Sequence, residues 1–153
     1  MAVTVLVRDA VPEDLDSLYR LDQLCFEPGI AYSRSQMRSF LRISTARAAL
    51  TERDGKLAGF AIGYLSRPGV ARIITLDVHP DHRRHGIGQA LMKEILGRLA
   101  RDGALETRLE VDARNTRAIT FYEKLGFRRG RRLEDYYAPG RPALEMTLPA
   151  GAR

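Results

Sequence analysis

The chain is poor in cysteine, in lysine and in long apolar runs, and each shortage excludes something. Its single cysteine, Cys25, cannot close an internal disulfide or supply a Cys-based zinc cluster, which agrees with a reducing compartment. No stretch approaches the roughly 18–20 uninterrupted apolar residues of a membrane span. The opening Met1 to Arg8 is too short and too polar-flanked for a secretory signal. A cytoplasmic protein with no membrane partner is therefore expected. Internal repeats, linkers and low-complexity segments are also missing, so the 153 residues are read as one domain over 1–153, with 44% hydrophobic residues to fill a single core.

What the chain has in quantity is arginine. Of its 25 basic residues only Lys56, Lys93 and Lys124 are lysines, and against 19 acidic residues the formal net charge is +6. A guanidinium donates paired hydrogen bonds to anions, so this surface favours phosphate-bearing or acidic partners, and charge alone suits nucleic acid equally well.

The hydrophobic pattern orders the elements. Val3 to Val7 reads as a strand, and Pro12-Glu13-Asp14 opens a helix to about Cys25, with acidic residues where the helix dipole favours them. Leu15, Leu18, Leu21 and Cys25 recur at helical spacing, which makes Cys25 a packing residue rather than a nucleophile. Phe26 to Tyr32 is a loop, and Ser33 caps a second helix through about Ile43. Ala46 to Glu52 and Lys56 to Leu65 form a hairpin around Asp54-Gly55, and Arg67-Pro68-Gly69 turns the chain into the apolar strand Ala71 to Val78. A helix from about Ile87 to Arg101 follows, with Ile87, Leu91, Ile95 and Leu99 on one stripe. Leu105, Thr107, Leu109 and Val111 then alternate with Glu106, Arg108, Glu110 and Asp112 as a strand. Asn115 caps a short helix closed by Gly126 in the left-handed conformation, and Phe127 to Tyr137 and Pro142 to Leu148 are the last strands. This order predicts an α/β fold, a mixed sheet of about seven strands flanked by about four helices.

The chemistry concentrates after Val78. A strand feeding a glycine-bearing turn at a helix start presents free backbone N–H groups and the positive end of the helix dipole to an anion. Gly86 and Gly88 let a phosphate approach, and Arg83 and Arg84 add charge at the same mouth, so pyrophosphate is the natural ligand; a bare solvated turn is the bland alternative. A P-loop would need a lysine after the glycines, and a dinucleotide fingerprint a small residue where Leu91 stands; neither is present.

Arg83-x-x-Gly86-x-Gly88 after Leu76-Asp77-Val78 resembles the acetyl-CoA signature of the GNAT acetyltransferases. Leu109-Glu110-Val111-x-x-x-Asn115, Ala118-Ile119 and Phe121-Tyr122-Glu123-Lys124-Leu125-Gly126-Phe127 resemble the ribosomal-protein N-terminal alanine acetyltransferases (RimI-like). The likeness is strong over residues 71–148 and weaker before them. It implies an acetyl-CoA-dependent N-acetyltransferase acting on a primary amine, a peptide N-terminus or a small amine, by direct attack in a ternary complex and without a metal. On matching positions, the backbone of Leu76, Asp77 and Val78 would pair with the pantetheine arm. Arg83, Arg84, His85, Gly86, Ile87, Gly88 and Gln89 would wrap the pyrophosphate, and Asn115 would hold the cofactor by its amide. Glu110 stands at the general base and Tyr122 at the acid for the departing thiolate. The loop ending at Tyr32 and the pair Tyr136-Tyr137 would cover the acceptor.

Other readings stay open for these residues. Glu110 lies on the polar face of its strand, where a plain solvent-facing carboxylate is the bland alternative; Tyr122 suits a core position, and Asn115 is needed as a cap in any case. Asp77 departs from the small apolar residue of the relatives, is costly in an apolar strand unless paired, and is a second candidate base. His79, His82 and His85 suit solvated positions better than a metal site. Two rivals from other classes are an arginine-rich nucleic-acid-binding module, motivated by Arg128-Arg129 and Arg131-Arg132, and a non-catalytic acyl-CoA sensor. The first is disfavoured by the lack of an aromatic stacking platform, the second by the presence of both Glu110 and Tyr122. A homodimer is left open.

Overall fold

A computed structural model describes residues 5–149. Seven strands form one mixed sheet in the order β1-β2-β3-β4-β5-β7-β6. They are β1 (Arg8–Asp9), β2 (Arg47–Arg53), β3 (Lys56–Arg67), β4 (Val70–Val78), β5 (Glu106–Asp112), β6 (Arg128–Ala138) and β7 (Arg141–Pro149). The helices are α1 (Leu15–Cys25), α2 (Arg34–Leu41), α3 (Ile87–Arg101) and α4 (Thr116–Lys124), with short 3-10 turns at Pro12–Asp14 and Pro80–His82. All neighbouring strands run antiparallel except β4 and β5, which are parallel and joined through α3. A parallel pair needs such a crossover.

Local chemistry explains most boundaries. Asp54 and Gly55 both take positive φ, 53° and 76°, which is what a two-residue hairpin between β2 and β3 requires. Ser33 accepts from the Gln36 N–H while the Gln36 side chain returns to the Ser33 N–H, a capping box that starts α2. Gly126 closes α4 at φ 105°.

The apolar faces meet in two layers. Leu18, Leu21 and Met37 of α1 and α2 pack on Leu50, Phe60 and Ile62 of one sheet face. Leu91, Ile95 and Leu99 of α3 cover Ala49, Ala61 and Ala71 on the other, in a cluster that also takes Ile119 of α4 and Phe127. Small residues on the sheet let α3 lie close, and an added Cβ at Gly59 would stand 2.9 Å from the Asp77 carbonyl oxygen.

Two expectations are corrected. The opening strand expected over Val3 to Val7 is placed later: Val3 and Thr4 lie outside the described residues, Val5 to Val7 are not in a strand, and β1 is Arg8–Asp9 paired with Ala49 and Leu50. β2 is irregular at Thr51/Glu52, and there the Thr51 hydroxyl donates to the Leu6 carbonyl at 2.7 Å. A side chain thus replaces a ladder bond. Leu105, expected on the buried side of β5, precedes that strand and is 68% exposed, because the chain is still leaving the turn after α3.

Candidate active site

The sheet splits in its middle. β4 pairs with β5 only at Val70, Ala71 and Arg72, although β4 continues to Val78 and β5 to Asp112. Beyond Arg72 the strands part, while β4 stays paired with β3 as far as Val78. A register shift helps: Ile62 faces Thr75 but Gly63 faces Ile73, so Ile74 is one residue too many on β4. Such a bulge bends a strand and re-aims its edge. The unpaired edge of β4 therefore borders a cleft of about 740 Å³, walled by β5, by Phe121 and Tyr122 of α4 and by the loop after α1.

Side chains take up part of that edge. The Tyr32 hydroxyl donates to the Ile74 carbonyl at 3.4 Å. The Cys25 thiol at 3.4 Å and Arg83 Nε at 3.1 Å both donate to the Val78 carbonyl. Leu76 lies between these two carbonyls and lines the cleft. Burial pushes the Cys25 thiol up to about 12, so it stays protonated and serves as a donor rather than a nucleophile.

At the end of β4 the chain makes an anion-ready turn. Gly86 precedes α3 at φ 78° with no side chain capping the helix, so the first N–H groups of α3 remain free. Arg84 also holds a left-handed φ of 68°, a conformation that strains a non-glycine residue and is found preferentially at functional sites. Arg83, Arg84, Gly86, Ile87, Gly88 and Gln89 line the cleft; His85 is exposed and does not. His79 accepts from the Asp81 N–H at 3.1 Å, which gives this histidine a local structural partner. Among the described residues no three His, Cys, Asp or Glu side chains are grouped to hold a metal.

Asn115 reaches the cleft while its Oδ1 accepts from Ala118 N–H at 3.1 Å, so capping leaves its amide nitrogen available. Tyr122 faces the cleft beside Phe121, and burial raises its phenol well above the ordinary range. Glu110 is not solvent-facing: its side chain is 14% exposed. Arg72 donates to its Oε2, and the Tyr136 hydroxyl donates to its Oε1 at 3.1 Å.

Glu110 also borders a second pocket of about 220 Å³ under α2, walled by Tyr32, Phe40, Tyr64, Arg72, Tyr136 and their neighbours. Tyr32, Ile73, Ile74, Glu110 and Tyr137 line both spaces, so the pocket and the cleft meet at this carboxylate. Tyr136 and Tyr137 reach it from an irregular part of β6, where Asp135 takes φ 53° and pairing to β7 breaks between Leu133 and Ala138. Their rings meet edge to face at 4.9 Å.

Asp77 does not enter either space. Its carboxyl is wholly buried, Oδ1 accepts from the Thr75 hydroxyl, and it adjoins the equally buried Asp22 of α1. Burial and the neighbouring Asp22 carboxyl push Asp77 far above the usual carboxylate range. Asp22 Oδ2 in turn accepts from Tyr32 N–H at 2.7 Å, tying the loop after α1 to the sheet. Asp22 Oδ1 and Asp77 Oδ2 have no hydrogen-bond partner among the described residues, so both carboxyls are buried with one oxygen unmatched.

The basic cluster on β6 is mostly matched by acids. Arg129 pairs with Glu123 at 3.0 Å, Arg131 with Glu145 at 3.6 Å and Arg132 with Glu134 at 2.6 Å. These guanidiniums lie along an edge strand with local carboxylate partners, which weakens the case for a phosphate-tracking surface.

Sequence reasoning missed Arg72, Tyr64, Phe40 and Asp22. A signal existed for the first: Arg72 is the one basic residue inside Val70–Val78, otherwise apolar apart from Thr75 and Asp77. It also missed a clasp at the cleft mouth, where Glu27 of the loop pairs with Arg114 at 3.1 Å and with Arg141, and Asp112 joins both arginines.

A parallel strand pair that opens at its centre, a free helix start on one arm and a buried carboxylate on the other fit an acyltransferase-type site. The profile of the Acetyltransferase (GNAT) family matches residues 15–127, and the chain belongs to that family. It is 37% identical over 99 residues to the [ribosomal protein bS18]-alanine N-acetyltransferase of Escherichia coli K12, covering 63% of this chain and 66% of that relative. An N-alpha-acetyltransferase of Sulfurisphaera tokodaii is 27% identical, over 94% of this chain and 92% of its own length. The crystal structure of the ribosomal-protein-S18-alanine N-acetyltransferase from Escherichia coli superposes with a TM-score of 0.85 at 28% identity, over 95% of this chain and 94% of that one.

Proposed function

We propose that this protein transfers the acetyl group of acetyl-CoA to the α-amine of a peptide or protein N-terminus, by direct attack in a ternary complex. The observation that carries this reading is the junction at Glu110, where a long cleft ending on a free helix start meets a separate aromatic-walled pocket. The cleft suits a long ligand with phosphates at one end: Gly88 leaves the helix start open, and Arg84 and Asn115 flank it. Acetyl-CoA, when bound, supplies the thioester carbonyl. The rest falls to this chain's residues.

An amine must be neutral to attack, and an α-amine titrates at about 8 whereas a lysine amine titrates at about 10.4, so a base is useful in either case. Glu110, fixed at both oxygens by Arg72 and Tyr136, takes the amine proton directly or through water. A backbone N–H on the free edge of β4 receives the oxygen of the reacting carbonyl. Tyr122, kept protonated by burial, holds its proton on Oη for the departing thiolate. Tyr32 and Tyr137 flank the passage between the two spaces. Incubation with acetyl-CoA and separate panels of N-terminal peptides, internal-lysine peptides, polyamines and aminoglycosides, read by thiol release, tests the reading. Turnover confined to N-terminal peptides is expected; turnover of small amines without peptide activity overturns it.

A further inference from the structure

We propose that Arg72 sets the class of acceptor: anchored on Glu110, its guanidinium receives the first carbonyl of a peptide acceptor and turns away amines that carry a second positive charge. This rests on the reading of Glu110 as the base at a peptide-accepting site.

Arg72 occupies the last rung at which β4 and β5 are paired, opposite Arg108 on β5 and Tyr64 on β3. Glu110 lies two residues beyond Arg108, within diagonal reach of a long side chain across neighbouring strands. That placement aims the guanidinium across the point where the sheet opens, and one terminal nitrogen is committed to Glu110 Oε2. A guanidinium carries five N–H donors in a rigid fork, so others remain for a second acceptor on the pocket side.

Among the described residues the pocket has one positive and one negative side chain, Arg72 and Glu110; its other walls are apolar or phenolic. Burial holds the phenols of Tyr32, Tyr136 and Tyr137 raised, so they stay uncharged and give no further anion. An N-terminal peptide offers the matching pattern, an amine for Glu110 and a carbonyl oxygen a few bonds away for Arg72. A polyamine or aminoglycoside brings a second ammonium to a partly desolvated pocket whose only other charge is the Arg72 cation. Rejection follows from an unpaired like charge.

The experiment compares wild type, Arg72→Gln and Arg72→Lys on a tetrapeptide with N-terminal alanine and on spermidine. Coenzyme A affinity and the melting curve are recorded in parallel. In Arg72→Gln, kcat/KM for the peptide should fall by about tenfold or more, with a clear rise in KM, as expected on losing a charged hydrogen bond. The peptide-to-spermidine ratio should fall further, because the repelling charge is gone. Arg72→Lys should keep spermidine rejection and recover only part of the peptide KM. If Arg72→Gln does not fold, the Lys variant decides: wild-type peptide KM in it, or lost spermidine rejection, overturns the proposal. An unchanged peptide-to-spermidine ratio in folded Arg72→Gln also overturns it, while leaving the peptide reading intact. A wild-type enzyme that prefers spermidine sinks both.

Discussion

Glu110 is held like a reagent rather than a surface charge. Two donors from different strands fix its oxygens, and it stands where two spaces join. Glu110→Gln keeps the shape and removes the basicity, so turnover should fall by at least about tenfold with coenzyme A affinity and melting temperature little changed; Tyr122→Phe should do the same. Steady-state thiol release with calorimetric binding checks both. Near-normal turnover in Glu110→Gln, together with an inactive but folded Asp77→Asn, would transfer the base role to Asp77.

Asp77 carries its own prediction, because its carboxyl is raised above 3.8 by burial and by Asp22. Thr75 and Arg83 oppose that shift without cancelling it, and Cys25 faces the same pair. A carboxyl raised in the folded state binds more protons there than in the unfolded chain. Stability should therefore decline as pH rises from about 4, the unfolded value, through the higher folded one. Asp77→Asn removes that proton and should flatten the decline, leaving the variant relatively more stable at alkaline pH. Melting temperatures from pH 4 to 9 (about one unit apart) decide it; parallel curves for the two proteins would refute the raised Asp77 carboxyl.

At the scale of elements, the turn before α3 ties conformation to ligand. An added Cβ at Gly88 would lie 3.4 Å from the Phe121 ring and 3.6 Å from Val78, ordinary contacts that the fold can absorb. Gly88→Glu should therefore fold normally while its carboxylate fills the mouth of the helix start and abolishes coenzyme A binding. Calorimetry showing unchanged affinity would remove the phosphate from this turn. Strands β2 to β5 and helices α2 to α4 were legible because periodicity, caps and turn residues all agreed, as at Asp54-Gly55 and Asn115. Three things were not. The non-strand course at Leu6 goes with a tertiary bond from Thr51, the unpairing of β4 from β5 with a bulge at Ile74, and the placement of Tyr136 beside Glu110 with the left-handed Asp135. None of these has a local sequence period. Glu110 and Tyr122 were singled out through a resemblance of motifs and both line the cleft, whereas Arg72 and Asp22 lie outside those motifs and acquire meaning only from their neighbours in space.

At the scale of the whole molecule, the sheet is a partition with a slit in it. The long cleft lies mostly toward α3 and α4, the smaller pocket toward α2, and they touch only where β4 has let go of β5. Two guests can then arrive by separate doors, with neither blocking the other's path. Cys25, raised by burial, keeps its proton and is a poor place to park an acyl group, in keeping with the direct transfer proposed above. Initial-rate plots against either substrate should converge rather than run parallel, and coenzyme A should compete with acetyl-CoA but not with the acceptor. On the proposed reading, the opening that weakens the sheet at its centre is also what gives each of the two substrates an entrance of its own.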